Sequence, residues 1–117
     1  MSASESCLFC KIVRREIPAQ EVSRSDEALA IRDVNPQAPT HILVLPTRHV
    51  DGLGEFIAGG GDDEVGKLFA LATRLGREAG GEGGFRLVVN EGRGAGQTVF
   101  HLHVHVLAGR PMRWPPG

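Results

Sequence analysis

Three of the five histidines lie on alternate positions of one short segment, His-Leu-His-Val-His-Val-Leu, which runs from His101 to Leu107. Successive side chains of a β-strand point to opposite faces, so this spacing places His101, His103 and His105 on one face. The aliphatic residues between them are predicted to enter the core. Imidazole has the side-chain pKa nearest neutrality, so the row indicates catalysis, metal binding or both. A core strand whose histidines are paired and inert is the alternative.

The spacing of these histidines limits what they can do together. Residues two apart on a strand are separated by roughly 6.5–7 Å, and residues four apart by about 13 Å. Metal–nitrogen distances of about 2.0–2.1 Å cannot be reached from all three rings at once without a bulge. We therefore expect at least one of the three histidines to be free for other work.

Two cysteines, Cys7 and Cys10, form a Cys-x-x-Cys pair near the start of the sequence. In a reducing compartment such a pair is typical of metal ligands or of a redox couple. A redox pair of the thioredoxin kind follows a strand and opens a helix, and no strand is predicted before Cys7. The sequence therefore favours a metal, with two further ligands to be found, over the alternative of buried free thiols.

A glycine-rich segment, residues 91–98, ends three residues before His101 and is called the glycine loop below. Its glycines, Gly96 among them, allow a close backbone approach, and their N–H groups could form a concave anion site. The loop matches neither a Walker A motif nor the dinucleotide-binding glycine pattern, so alone it is a weak signal. Because the glycines lead into Gln97 and Thr98 at the end of the loop, and the histidine row comes next, the loop predicts a phosphate cradle beside a nucleophile. Asn90 is expected at the same rim.

Imidazole is well suited to phosphoryl or nucleotidyl chemistry. The neutral ring attacks phosphorus and leaves easily afterwards, so two N–P steps can replace one slow hydrolysis. No magnesium site is expected, because the acidic run Asp62–Glu64 belongs to the start of a helix. Positive charge at the phosphate would come from backbone amides and a neighbouring imidazole.

At 117 residues the chain is expected to form a single domain, 1–117, with one hydrophobic core. The net charge of -1 gives no electrostatic reason to expect nucleic-acid or membrane-surface binding. The first residues lack the basic start and apolar run of a secretory signal, and no segment reaches the length of a membrane span. The expected compartment is the cytoplasm, where the cysteines stay reduced.

The remaining pattern predicts an α+β fold. Apolar residues recur at helical spacing from Asp62 to Ala79, after an acidic first turn and before two glycines. Five short strands are predicted at 21–25, 28–32, 41–45, 85–90 and 102–107, with one or two helical turns before Pro18. This order indicates a five-stranded, mostly antiparallel sheet with one main helix on a face and a short N-terminal helix.

Taken with its neighbours, the histidine row resembles the signature of the histidine triad (HIT) superfamily. Four further runs are similar to its Hint branch, the histidine triad nucleotide-binding proteins: Asn35–Pro46, Val88–Gly92, Gly96–Phe100 and Trp114–Gly117. The resemblance covers nearly the whole chain and keeps the motifs in order. It implies a HIT-like fold in which the sheets of two protomers join across a homodimer.

Hint proteins are purine nucleoside phosphoramidases, which cleave the P–N bond of AMP or GMP amides through a nucleotidyl-histidine intermediate. The resemblance implies that His103 is the nucleophile and that Thr98 replaces a serine that contacts phosphate and helps the leaving amine. The added methyl group of Thr98 keeps the hydroxyl but can change rate or leaving-group preference. The substrate contacts expected are Asn90, Gln97 and His105 at the phosphate beside the loop residue Gly96, Asp33 at the ribose, Ile31 and Val34 at the base, and Trp114 near the site.

In many bacterial HIT relatives, and in the galactose-1-phosphate uridylyltransferases, a Cys-x-x-Cys pair binds zinc together with two histidines. The resemblance implies that His49 and His101 complete the set begun by Cys7 and Cys10. Two cysteines and two histidines make a closed tetrahedral structural zinc site. The other two histidines of the row then remain for attack and for phosphate, and no organic cofactor is expected.

The expected function is therefore that of a cytoplasmic, homodimeric hydrolase of the Hint type acting on a purine nucleotide. Two alternatives stay open. A dinucleoside polyphosphate hydrolase shares the triad but cuts P–O–P linkages, and the Trp114–Gly117 ending argues against it. A nucleotide-binding regulatory protein, in which turnover is incidental, needs the same pocket, so the sequence separates it poorly from an enzyme.

Overall fold

A five-stranded antiparallel sheet forms the centre of the computed structural model, which describes residues 3–117. Its strands are β1 (Glu21–Arg24), β2 (Ala28–Arg32), β3 (Thr40–Pro46), β4 (Phe85–Val88) and β5 (Val104–Ala108). They lie in the order β1-β2-β3-β5-β4, and each neighbouring pair is antiparallel. The predicted α+β class and the predicted sheet are confirmed.

Four α-helices accompany the sheet: α1 (Ala3–Ser6), α2 (Leu8–Val13), α3 (Leu53–Ala58) and α4 (Asp62–Gly80). The helix α4 confirms the main helix predicted at 62–79, and α2 confirms the short N-terminal helix. Within residues 3–117, no helix has both the length and the apolar character needed to cross a membrane.

The sequence pattern does not predict α3, and the N-terminus of this helix shows why. Its N-cap residue is Gly52, which has no side chain to accept the first N–H groups. The carboxylate of Glu91 accepts them instead, from Leu53 at 2.8 Å and from Gly54 at 3.1 Å. A six-residue helix that is capped from a distant loop leaves no local signal in the sequence.

The helix α4 covers one face of the sheet. Its buried side chains share a core with three aliphatic residues of the histidine segment, Leu102, Val104 and Val106. At Gly76 an added Cβ would lie 2.4 Å from the Phe85 ring of β4, so this glycine permits the close approach of helix and strand. The other interior glycine of α4, Gly66, faces open space.

The opposite face of the sheet is covered by the N-terminal segment. Buried residues of α2 pack there against aliphatic residues of β2 and β3, in a cluster formed by Cys7, Phe9, Cys10, Ile12, Leu29, Ile31, Leu43 and Leu45. The Phe9 ring packs edge-on against the rings of both His101 and His103. The histidine row therefore lies beneath α2, on the face away from α4.

The strand β5 begins at Val104, two residues after the predicted start, and β4 ends at Val88, two residues before the predicted end. His101 and His103 therefore precede the ladder, although the predicted alternation of faces persists through them. The last residue of β3, Pro46, accepts a hydrogen bond from the His101 ring through its carbonyl. Leu102 donates its N–H to Val50. These contacts replace strand pairing at this end of the sheet.

Candidate functional site

A cavity of about 350 Å³ opens on the α2 face of the sheet and is called the histidine pocket below. His103 and His105 line it together with Thr98 and Asp33. Much of the remaining wall is apolar and includes Phe9, Ile12, Ile17, Ile31, Leu43 and Val99. A small apolar cavity with a few convergent polar groups is the usual form of a small-molecule site.

His103 is held in one tautomer. Its ring is buried, and its Nδ1–H donates to the carbonyl oxygen of His101 at 2.7 Å. The proton of the neutral ring therefore sits on Nδ1, and Nε2 carries the lone pair. No buried side-chain nitrogen or oxygen in residues 5–117 lacks a partner, so Nε2, which makes no hydrogen bond within them, is reached by solvent. Burial lowers the pKa of His103, which keeps the ring neutral and nucleophilic.

His105 is held in the opposite tautomer by His41 on β3. The N–H of Gln37 donates to Nδ1 of His41 at 3.0 Å, so the proton of the neutral His41 ring is on Nε2. That Nε2–H donates to Nδ1 of His105 at 2.9 Å. The remaining ring nitrogen of His105, Nε2, therefore carries a proton and acts as a donor. Burial, followed by the neighbouring His103, lowers the pKa of His105 to about 4.

Asp33 follows β2 and stands beside this histidine pair. Its Oδ1 accepts the N–H of Asn35 at 2.8 Å, and its Oδ2 lies 3.5 Å from Nε2 of His41. Asp33, His41 and His105 place one potential ligand atom each within 4.8 Å of the others. Because the two rings are already joined by a hydrogen bond, this group is a hydrogen-bonded chain that orients His105.

Gln97 does not line the histidine pocket, in contrast to the phosphate contact expected from the sequence. The side chain is buried, and its Oε1 accepts the N–H of Gly92 at 2.8 Å. Its amide donates to the carbonyl oxygens of Asp51 at 2.7 Å and of Val99 at 3.1 Å. Gln97 thus folds the glycine loop, while its neighbour Thr98 lines the pocket.

Three further expected contacts are not brought to the pocket lining: Asn90, Gly96 and Trp114. Trp114 is 83% exposed, and the tail that carries it is held near β4, where Arg86 donates to the Arg113 carbonyl. Of the residues expected around a base, Ile31 is buried in the pocket wall and Val34 is fully exposed at its edge.

The four expected metal ligands meet at one point. One ligand atom from each of Cys7, Cys10, His49 and His101 lies within 4.8 Å of the others, and these four residues are called the Cys/His cluster below. Nδ1 of His101 is 3.4 Å from Cys7 Sγ and 3.5 Å from Cys10 Sγ. Nδ1 of His49 is 3.3 Å from Cys10 Sγ.

The outer partners of the Cys/His cluster aim its lone pairs inward. Nε2–H of His101 donates to the Pro46 carbonyl at 2.8 Å, and Nε2–H of His49 donates to the Asp51 carboxylate at 2.9 Å. Both Nδ1 lone pairs therefore face the sulfurs, in the arrangement that outer partners impose on metal-bound histidines. Burial, and then Cys7, raise the pKa of Cys10 to about 11, a penalty that a bound cation would reverse. The cluster could hold a metal ion, and its donors suit tetrahedral zinc.

Three residues that the sequence did not single out for the site take part in it. His41 orients His105, Asp51 joins His49 to Gln97, and Phe9 packs on the His103 ring. Two of these had a local signal, since Asp51 stands two residues after one expected ligand and Phe9 stands between two others.

Two known proteins are similar in sequence to almost the whole of this chain. An uncharacterised HIT-like protein of Synechocystis is 47% identical over 116 residues, which cover 97% of this chain and 99% of that protein. A 14 kDa zinc-binding protein of Zea mays is 46% identical over 112 residues, covering 94% of this chain and 87% of that protein.

Solved structures share the fold. A HIT family hydrolase from Legionella pneumophila superimposes with a TM-score of 0.91 at 42% identity, covering 96% of this chain and all of that one. A zinc-bound histidine triad family protein from Mycobacterium smegmatis superimposes with a TM-score of 0.80 at 34% identity, and the match covers 92% of this chain and 77% of that one. A hypothetical histidine triad nucleotide-binding protein from Sulfolobus tokodaii superimposes with a TM-score of 0.76 at 35% identity, and the match covers 87% of this chain and 68% of that one.

The family assignment rests on sequence as well as on fold. The model of the HIT domain matches residues 14–112, which include the histidine row and all of the strands of the sheet. This chain belongs to the HIT domain family.

Proposed function

We propose that this protein is a purine nucleoside phosphoramidase that hydrolyses the P–N bond of AMP or GMP amides through a nucleotidyl-histidine intermediate. The observation that carries the proposal is the fixed tautomer of His103, whose Nδ1–H is bonded to the His101 carbonyl while Nε2 is left for the pocket. The Legionella relative is named a hydrolase, and the Sulfolobus relative is named a nucleotide-binding protein.

In the first step, the lone pair on Nε2 of His103 attacks the α-phosphorus of the substrate. A bond forms between Nε2 and phosphorus, the P–N bond breaks, and the amine leaves with its electron pair. The ring then carries a positive charge that it shares with Nδ1–H. The His101 carbonyl, already 2.7 Å away, stabilises that charge without reorganisation.

The leaving amine needs a proton, because an amide anion is a poor leaving group. Thr98 lines the pocket beside His103, and we assign its hydroxyl the role of donor or relay to the amine. His105, oriented by His41, presents Nε2–H to the phosphate oxygens. Water then attacks phosphorus and returns a proton to Thr98, the Nε2–P bond breaks with its electron pair going back to Nε2, and the nucleotide leaves with the original tautomer of His103 restored.

The rest of the pocket fits a nucleoside. We assign Asp33 to the ribose hydroxyls, since its carboxylate lies at the pocket and close to the His41–His105 pair. We assign Ile31 and Val34, which also line the pocket, to the base. The intramolecular bonds of Gln97 instead favour a supporting role under the phosphate.

We propose that the Cys/His cluster binds zinc as a structural ion. The donor set, the inward lone pairs and the outer partners support this, as do the names of the Zea mays and Mycobacterium relatives. Bound zinc would supply charge neutralisation for the two thiolates. Reduced cysteines of this kind are typical of the cytoplasm, which is the compartment we propose.

We also propose a Hint-type homodimer. Within the described residues β4 pairs only with β5, so one edge of the sheet keeps unpaired backbone groups. Pairing of β4 with its copy in a second protomer would join the two sheets. Light scattering coupled to size-exclusion chromatography, which measures the mass in solution, tests this; a monomeric mass would contradict it.

The activity is tested by release of AMP from adenosine 5′-phosphoramidate. We expect turnover by the native protein and a loss on the order of 10³-fold or more in His103→Ala, which removes the nucleophile. Thr98→Ser, which keeps the hydroxyl, and Thr98→Val, which keeps the shape, form a matched pair. Thr98→Val is expected to lose about 10²-fold or more, as for removal of a general acid, while Thr98→Ser retains activity.

Circular dichroism of each variant provides the control for folding. Native protein that binds AMP but leaves the P–N bond intact would contradict the enzyme assignment and favour a nucleotide-binding protein. Equal activity of Thr98→Val and Thr98→Ser would remove Thr98 from the proton transfer.

A further inference from the structure

The Cys/His cluster lies directly behind the histidine pocket and reaches it by three separate routes. One route runs through the backbone of the histidine row, one through α2, and one through the glycine loop. Each route is a short series of contacts between described residues, and none of them passes through the core beneath α4.

The first route is through His101. The Nδ1 of this residue faces the two sulfurs of the cluster, while its carbonyl oxygen holds Nδ1–H of His103 at 2.7 Å. The side chain of His101 is fully buried, so the ring and the carbonyl move together. A displacement of His101 therefore changes both the place and the tautomer of His103.

The second route is through α2. Cys7 is the N-cap of this helix, with its sulfur accepting the N–H of Cys10 at 3.4 Å, so two cluster ligands span its first turn. Between them, Leu8 and Phe9 line the histidine pocket. The Phe9 ring meets the His103 ring edge-on, with centroids 5.0 Å apart.

The third route is through Asp51. Its carboxylate accepts Nε2–H of His49, and its carbonyl accepts the amide of Gln97. Gln97 in turn holds the N–H of Gly92 at the start of the glycine loop. The loop then delivers Thr98 to the pocket, one residue after Gln97.

We propose that metal binding at the Cys/His cluster and nucleotide binding in the histidine pocket are thermodynamically coupled, so that each strengthens the other. A cation that draws four ligands together fixes the nucleophile, the α2 wall and the glycine loop in one arrangement, and the nucleotide binds that arrangement. The inference rests on the proposed nucleotide site and adds a regulatory consequence to it. Metal supply then sets the affinity for nucleotide.

Coupling of this kind is reciprocal. If zinc lowers the Kd for AMP by some factor, AMP must lower the Kd for zinc by the same factor. Coupling between sites in proteins is typically about 5- to 150-fold, and three routes of direct contact place the expected factor in this range. If the metal-free protein stays folded and the metal has no link to the pocket, the factor is one.

The test uses AMP, a product that the protein cannot turn over. Isothermal titration calorimetry gives the Kd for AMP with zinc-loaded protein and with chelator-stripped protein whose fold is verified by circular dichroism. Competition with a chromophoric chelator gives the Kd for zinc with and without saturating AMP. We expect both ratios to exceed about fivefold and to agree with each other.

A matched pair of variants locates the coupling. Phe9→Leu keeps all four ligands but loses the edge-on contacts with the His101 and His103 rings, whereas Phe69→Leu makes the same change in α4, on the other face of the sheet. We expect Phe9→Leu to lower the coupling factor, taken as the ratio of its own zinc Kd values with and without AMP, by about two- to tenfold. Phe69→Leu should keep the native factor.

The outcomes separate this inference from the function on which it rests. AMP binding with a factor of one overturns the coupling alone and leaves the proposed function standing. Absence of AMP binding in either metal state overturns both. A stripped protein that unfolds also overturns the coupling, because the metal would then act through the whole fold instead of the three routes. An unchanged factor in Phe9→Leu excludes the route through α2.

Discussion

His41 offers a sharp test of how the pocket fixes its histidines. The ring is buried in β3, and its Nε2–H is the partner of Nδ1 of His105 at 2.9 Å. The substitution His41→Phe keeps the ring volume and removes both hydrogen bonds, whereas His41→Gln keeps a donor on a side chain of similar reach. The two variants therefore separate hydrogen bonding from packing.

The expected magnitude follows from the bond that is lost. A hydrogen bond of this kind contributes about 0.5–1.5 kcal/mol net, and without it the His105 tautomer with Nδ1 protonated is no longer excluded. In that tautomer Nε2 turns a lone pair toward the phosphate. The loss converts to about two- to tenfold in kcat/KM for His41→Phe. The N–H of Gln37, which is exposed, also loses its acceptor, and the loss of this bond lowers the free energy of unfolding by about 0.5–1.5 kcal/mol.

The assay measures kcat/KM with adenosine 5′-phosphoramidate for native protein, His41→Phe and His41→Gln, at a temperature where urea titration shows all three folded. We expect the order native, Gln, Phe. Native activity in His41→Phe would refute the orienting role, as would equal losses in the two variants, since packing alone would then account for the effect.

Three other expectations follow from burial and space. Because burial lowers the pKa of His103 and takes that of His105 to about 4, the acid loss of kcat/KM should have its midpoint below pH 6.5. Histidine in the unfolded chain takes up a proton near pH 6.5, whereas the folded His105 ring does so only near pH 4. The free energy of unfolding should therefore fall as the pH drops from 6.5 toward 4, by up to about 1.4 kcal/mol per pH unit from His105, and the lowered pKa of His103 adds to the fall below pH 6.5; urea titrations measure the sum. Gly66 faces open space, so Gly66→Ala should raise the free energy of unfolding by up to about 1 kcal/mol. At Gly76 the added methyl group would collide with Phe85, so Gly76→Ala should lower the free energy of unfolding by about 1–3 kcal/mol. Equal effects of the two substitutions would contradict the packing of α4. Removal of metal from the Cys/His cluster by a chelator should lower the Tm, and added zinc should restore it, because the free energy of metal binding adds to that of folding; calorimetry that shows no shift would contradict a structural metal.

Much of the fold could be predicted because local signals agree with the final structure. The helical spacing of apolar residues predicted α4, and the alternation of the histidine row predicted which of its side chains share one face and which enter the core. The helix α3 could not be predicted, since its cap comes from Glu91 in a distant loop. The early start predicted for β5 was wrong, because the pattern cannot show that the Pro46 carbonyl accepts a hydrogen bond from the His101 ring instead of from a paired strand.

The site was predicted less completely than the fold. The histidine row and the Cys-x-x-Cys pair marked residues whose types alone indicate chemistry, and the structure brings the four expected ligands together. Gln97 shows the limit of prediction from residue type, which cannot reveal that the side-chain amide is already hydrogen-bonded to Gly92 and Asp51. The orienting role of His41 depends on a contact between β3 and β5, 64 positions apart, which no local pattern encodes.

The central claim is covalent catalysis by Nε2 of His103, and trapping the intermediate tests it most directly. Native protein is mixed with adenosine 5′-phosphoramidate, quenched in base to preserve an N–P bond, digested and mapped by mass spectrometry. The account predicts an adenylyl group on the peptide that contains His103, formed and lost at rates compatible with turnover. Turnover without such an adduct, or an adduct on another residue, would contradict it.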